Sequence, residues 1–195
     1  MTRPSLRLSL GHKVFLVCVT LACSISIFSS FMLYRGAHSA LREQMREALK
    51  GIASTAAIQI QYDLHRSIRT PADKSSPAYL QLRSQLQQVL KRNPRIRDLY
   101  TMRPTKDPNI FQFVVDADGE DPAEIGKNYN TAECPDMRTG LRRPAADAEP
   151  TKDKWGIWIS GYAPIKDAAG RTDGIVGVDM SLDQLRRDED HAIAS

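Results

Sequence analysis

From Val14 to Tyr34 the chain reads VFLVCVTLACSISIFSSFMLY, without a single charged residue. At the helical rise of about 1.5 Å per residue this run spans roughly 31 Å, close to the hydrocarbon thickness of a bilayer. Its Ser and Thr residues are tolerable there because their hydroxyls can bond the preceding turn of backbone. His12 and Lys13 on one side, and Tyr34 and Arg35 on the other, supply interfacial anchors. A cleaved signal peptide would have a shorter apolar core, typically ~7–15 residues, and a small-residue cleavage site that RGAHSA does not provide. The sequence therefore predicts a transmembrane helix over 14–34 that stays attached. Basic residues flank it on both sides, Arg3, Arg7 and Lys13 before and Arg35, Arg42, Arg46 and Lys50 after, so their count selects no orientation. Long domains translocate largely regardless of charge. The expected arrangement is a cytoplasmic tail over 1–13, a single pass through the cell inner membrane, and a C-terminal domain in the periplasm.

Beyond the apolar run, the 195 residues leave room for one globular domain. Hydrophobic content of 42% and charged content of 26% suit a folded protein, and the net charge of +4 is spread thinly. A nucleic-acid binder would gather Lys and Arg on one element with aromatics between them, and no such cluster exists, so no nucleic-acid partner is expected. Cys18 and Cys23 fall within the apolar run and Cys134 stands alone beyond it. The domain must then be held by its core, without an internal disulfide.

Ala37 to Arg69 has no proline, and Leu41, Met45, Leu49, Ile52, Ala56, Ile60, Leu64 and Ile68 recur every three or four residues. That is the period of one helix face, and the helix is expected to continue directly from the membrane run. RTPADKSSP breaks it. Ser75 or Ser76, followed by Pro77, opens a second helix with a stripe of Tyr79, Leu82, Leu86, Val89 and Leu90, stopped by Asn93-Pro94. Strands are predicted next at 96–103, with Leu99 and Thr101 on one face and Tyr100 and Met102 on the other, and at 110–117, with Phe111, Phe113 and Val115 together. A long segment, 118–151, holds scattered acids, Pro and Gly, with a short helix expected around CPDMRTGLRR. Runs 154–165 and 173–180 around KDAAGR form a hairpin, and SLDQLRRDEDH, from Ser181, reads as a final helix.

The resulting class is α+β: a transmembrane helix continuing into a long helix, then a PAS-like antiparallel sheet of four to five strands with helices on one face. The hairpin runs are apolar on nearly every residue, so both faces must be covered, one by the long helix and the other by the 118–151 segment.

The residues LYTMRP, IFQFVVDAD and DKWGIWISGYAPIKDAAGRTDGIVGVDMSLDQL resemble the extracytoplasmic PAS-like sensor domains called Cache or PDC domains. The resemblance covers about residues 37–190, and SGYAPIKDAAGR with GIVGVDM is its most specific part. It implies a domain that binds a small ligand outside the cell and passes the change across the membrane. The output module would be of histidine kinase, diguanylate cyclase or nucleotide cyclase type, for which this sequence carries no signature. A homodimer through the 37–69 helix and a cytoplasmic or membrane signalling partner are implied as well. The family's amine-binding signature, an Arg-x-Trp-Tyr run, is not matched, which leaves the ligand class open.

Candidate ligand-binding residues are Tyr100, Met102, Phe113, Trp158, Tyr162 and Asp179. Asp179 lies among apolar neighbours, where a carboxylate needs a partner. In the family the matching aspartate often holds a ligand amine; alternatively it bonds backbone N–H groups at the start of the last helix. Gly174 and Gly177 mark close approach to that strand. Trp158, Ser160 and Tyr162 share one strand face and Trp155, Ile157 and Ile159 the other. For each aromatic taken singly, core packing is the better reading.

Other chemistry has no support. DADGED at 116–121 fails the calcium-loop spacing, with Asp121 and Lys127 where Gly and Glu belong, and reads as a turn. His12, His38, His65 and His191 lack zinc-ligand spacing. Ser160 has no nucleophile elbow. No cofactor, metal or catalytic residue is expected, and the chain is not expected to be an enzyme. The rival reading is a single-span scaffold that docks a partner protein, which would fill the space between sheet and 118–151 segment with side chains.

Overall fold

The computed structural model describes residues 9–132, 134–153 and 156–182. The chain divides into two compact units, Met1–Gln44 and Met45–Ser195, and each is taken by itself.

The first unit holds the beginning of α1, Leu10–Gln59, whose apolar part is long and apolar enough to cross a membrane and has no buried residue. Its hydroxyls bond the helix's own backbone: Thr20 Oγ1 donates to Val17 O at 2.9 Å and Ser24 Oγ to Thr20 O at 2.8 Å.

The second unit is built on an antiparallel sheet. Its strands are β1 (Asp98–Pro104), β2 (Ile110–Asp116), β3 (Asn128–Asn130), β4 (Ala145–Ala146), β5 (Thr151–Asp153), β6 (Gly156–Lys166) and β7 (Thr172–Ser181). The order is β3-β2-β1-β7-β6-β4, with β5 also pairing β6. The four long strands are those the periodicity predicts; β3, β4 and β5 add short ladders drawn from the 118–153 stretch, giving seven strands in all. The turn from β6 to β7 is closed by the Asp167 carboxylate, which accepts from the backbone of Ala169 and Arg171, and by Gly170 at φ +79°.

Helices pack on one face. The last turns of α1, α2 (Tyr62–Ser67) and α3 (Pro77–Arg92) bury Leu49, Ala53, Ala56, Leu82 and Leu86 against Leu99, Ile159, Ala163, Val176 and Val178. A Cβ on Gly161 would lie 2.7 Å from Leu49 Cβ, so α1 rests directly on the β6 backbone. Ser76 caps α3 as expected, its hydroxyl accepting from Tyr79 N at 3.2 Å, with Pro77 in the first turn.

Two sequence expectations need correction. The 37–69 helix is not continuous: Gln61 is extended (φ −71°, ψ 118°) and separates α1 from α2. The bend turns α2 onto the sheet, where His65 of α2 and Ile68, just past its end, are fully buried. In β2, Val115 does not share a face with Phe111 and Phe113. A bulge between Thr101 and Met102 shifts the register, pairs Val115 with Thr101 in the helix-side core, and turns Asp116 toward the opposite face. The final helix predicted over 181–191, together with Trp155 and His191, lies outside the described residues apart from Ser181, which ends β7, and Leu182.

Candidate functional site

The second face of the sheet carries Tyr100 and Met102 of β1, Phe111 of β2, Tyr162 of β6 and Ile175 of β7. Cys134 and Met137, the latter in α4 (Pro135–Gly140), cover part of it. A Cβ on Gly140 would fall 2.5 Å from Tyr162 Cβ, so α4 is pressed onto β6. Beside this plug the cover lifts from the sheet and leaves a cavity of about 230 Å³.

The cavity wall is aromatic. Tyr100 and Phe113 meet edge-on with ring centroids 5.4 Å apart, Phe113 and Tyr129 at 6.2 Å, and Met102 and Trp158 extend the surface. Gly177 positions Tyr100: a Cβ there would sit 2.3 Å from the ring, so only glycine lets the phenol lie flat on β7. The Tyr100 hydroxyl then donates to Asp179 Oδ1 at 3.1 Å, and Ser160 lies beside the same carboxyl across the β6–β7 ladder. Burial pushes the Tyr100 phenol well above its usual range, so it stays a donor. Gly174 is needed for a different reason, since a Cβ there would fall 2.2 Å from Met102 O.

Asp179 is the electrostatic centre of the site. Burial pushes its carboxyl up to about 8; hydrogen bonds from Ser160 and Tyr100 pull the other way, while the charge of Asp98, its direct partner across the ladder, adds to the rise. Among the described residues no basic side chain forms an ion pair with it. The mouth is acidic as well. Asp116, Asp118 and Asp121 line it, against Lys127 and Arg97, and Arg97 lies 3.8 Å from Asp98. Asp116 is engaged by its loop, its two oxygens accepting from Asp118 N at 2.9 Å and Ala123 N at 2.8 Å. The turn expected at Asp118-Gly119 is therefore present, and its carboxylates flank the cavity.

Of the six candidate residues, Tyr100, Met102, Phe113, Trp158 and Asp179 come together around the cavity. Tyr162 does not line it; it is fully buried beneath α4 and donates to Asp147 Oδ2 at 3.3 Å. Sequence reasoning missed Asp98, Tyr129 and Lys127. Asp98 was detectable, since it shares strand parity with Tyr100 and Met102; Tyr129 and Lys127 enter through the β2–β3 register, which no local pattern announces.

It also missed a network on the helix side. His65 Nδ1 donates to Asp173 Oδ2 at 2.7 Å, and Arg103 Nη2 donates to the same oxygen at 2.6 Å. The Arg103 guanidinium also donates to the carbonyls of His65 and Ile68. Burial would raise the Asp173 carboxyl, but these hydrogen bonds hold it well below the usual carboxylate range. Burial keeps His65 below its ordinary value, and thus neutral.

No protein-family profile matches the chain, and no curated protein matches it. Solved structures do. The ligand-binding domain of the Campylobacter jejuni chemoreceptor Tlp3, in complex with L-valine, aligns with a TM-score of 0.52 and 12% identity over 93% of this chain and 67% of that one. The Escherichia coli DcuS sensor domain aligns with a TM-score of 0.50 and 12% identity, over 76% of this chain and 97% of that one. The Pseudomonas aeruginosa amino acid chemoreceptor PctC, in complex with GABA, aligns at 0.43 and 20% identity over 75% of this chain. The chain spans 56% of the PctC structure and 67% of the Tlp3 domain. Its fold is that of the extracytoplasmic PAS-like sensor domains of the Cache or PDC type.

Proposed function

We propose that this chain is a membrane-anchored sensor whose cavity binds a small ligand carrying a protonated amine. In this reading residues 14–34 cross the inner membrane, residues 1–13 lie in the cytoplasm, and the domain within 37–190 faces the periplasm. Binding changes the domain and is passed to an output module or signalling partner, with the 37–69 region as the dimer contact. The chain itself performs no catalysis.

The observation that carries this reading is a cavity with aromatic walls, in which a carboxyl accepts from the Tyr100 hydroxyl, faces Ser160 across the ladder and, among the described residues, forms an ion pair with no cation. A half-buried carboxyl among apolar walls is costly to ionise alone and favourable to ionise beside a cation. The scaffold reading predicts side chains filling this space, and the open volume speaks for a ligand instead.

A thermal-shift screen of the full chain in detergent against amino acids, amines, carboxylates and nucleobases tests it. A ligand at about 100 times its dissociation constant should add roughly 2.7 kcal/mol of stability. That gain should disappear in Asp179→Ala. Absence of any response across the panel would defeat the ligand reading.

A further inference from the structure

One segment of β6 touches both the cavity floor and α1. Ser160 lies directly across the ladder from Asp179, so their side chains share one face of the sheet. The next residue, Gly161, points the other way, where a Cβ would fall 2.8 Å from the Leu49 carbonyl carbon of α1. The edge strand β4 reinforces the contact. Asp147 N donates to Ser160 O at 2.9 Å, and Ser160 N donates back to Asp147 Oδ2 at 3.1 Å. Tyr162 donates to the same oxygen. The main-chain carbonyls of Asp147 and Ala146 then accept from Arg46 of α1, Nε at 3.0 Å and Nη2 at 3.1 Å. Asp147 is 3% exposed. Asp179 thus faces Ser160 across the ladder, and hydrogen bonds run on from Ser160 through Asp147 to Arg46 of α1.

We propose that Asp147 is a positioning residue that couples the state of Asp179 to the seating of α1, through Ser160 on one side and Arg46 on the other. The proposal rests on the sensor reading, to which it adds a route out of the cavity. Two carboxyls flank Ser160, and in a low-dielectric interior ionising one disfavours ionising the other. Burial already pushes Asp147 up to about 6. A cation beside Asp179 favours its ionised form and so changes what Ser160 and Asp147 share. Because Gly161 puts no side chain between strand and helix, a small shift of the strand is handed to Leu49 instead of being absorbed by a rotamer change. The groups facing Asp179 are Asp98 and Tyr100 on β1, Ser160 and Tyr162 on β6, and Asp147 beside β4.

A double-mutant cycle needs no ligand. Arg46→Gln and Asp179→Asn are made singly and together in the full chain in detergent, and thermal midpoints are compared. Distant residues with no shared partner add, whereas coupled ones depart from additivity. The joint shift should depart from the sum by about 2 °C or more, and the departure should vanish in an Asp147→Ala background. Additivity within the error of the midpoints overturns the proposal while leaving ligand binding untouched, as does a departure that survives Asp147→Ala. If Asp147→Ala does not fold, amide exchange over residues 45–53 between pH 6 and pH 9 serves instead. Corrected for intrinsic rates, protection should change about threefold in the unsubstituted chain and stay flat in Asp179→Asn. Equal profiles in the two chains overturn it. A negative ligand screen alongside a positive cycle would remove the ligand reading and keep the coupling.

Discussion

The two faces of one sheet differ in kind although the same strands build both. Toward the helices, Leu99, Ile159, Val176 and Val178 form a dry core with α1 and α3, and the polar groups there sit in an ion-paired network at the edge. Toward the 118–153 cover, Tyr100, Trp158 and Asp179 border an opening, and the half-buried Asp179 carboxyl accepts from the Tyr100 hydroxyl. Successive residues of a strand point to opposite faces, so each strand contributes alternately to stability and to the cavity. A helix offers a regular apolar stripe that closes over a sheet, whereas a loop-rich cover closes only where α4 presses on Tyr162.

The sharpest way to break this contrast is at Arg103. Removing its guanidinium with Arg103→Met leaves the Asp173 carboxylate with His65 and the half-exposed Arg69 at 3.7 Å, and should cost up to about 3 kcal/mol in chemical denaturation. A loss no larger than that of a surface change would mean the network does not hold α2 to the sheet.

Neighbours on β6 give the next comparison. Ile159→Ala removes a fully buried helix-face side chain and should cost about 2–4 kcal/mol. Trp158→Ala, one residue away on the cavity side, should cost about 1 kcal/mol while altering ligand affinity. Equal costs would erase the distinction between the faces.

The faces should also respond to pH with opposite sign. Asp173 is held low in the fold, so its stabilisation is present above its unfolded value near 3.8 and is lost as pH falls. Asp179 is raised to about 8, so folding keeps a proton that the unfolded chain releases. Its contribution is complete below the unfolded value and is lost as pH rises toward 8. Between pH 6 and pH 8, above the value near which Asp147 titrates, the unsubstituted chain should lose on the order of 1–2 kcal/mol, allowing for the cavity's solvent access, and Asp179→Asn should reduce that slope. A slope unchanged in Asp179→Asn would assign it to another group. Smallest of all, Lys127→Ala at the exposed mouth should change stability by less than about 0.5 kcal/mol, so any larger effect would mark the mouth as structural.

How much of this was legible depends on the range of each interaction. The caps and stripes of α1 and α3 depend on residues within one or two turns, and Ser76-Pro77 and the helical spacing from Leu49 to Ile60 announce them directly. The covered hairpin could be read from uninterrupted apolar runs, and Gly177 from its position inside one. The bend at Gln61 could not, because it answers to where the sheet lies under His65 and Ile68. Nor could the β2 bulge, which moves Val115 to the core and Asp116 to the cavity without changing the pattern of apolar residues.

Local chemistry in the sequence determined that an apolar run long enough for a bilayer precedes a domain of helices and antiparallel strands, because hydropathy and periodicity act over a few residues. Only the tertiary structure decided that Asp179 meets Ser160 and Tyr100, that Asp147 holds Ser160 and Arg46 together, and that His65 meets Asp173. Most of those partners are far apart along the chain, and strand register brings them within hydrogen-bonding distance.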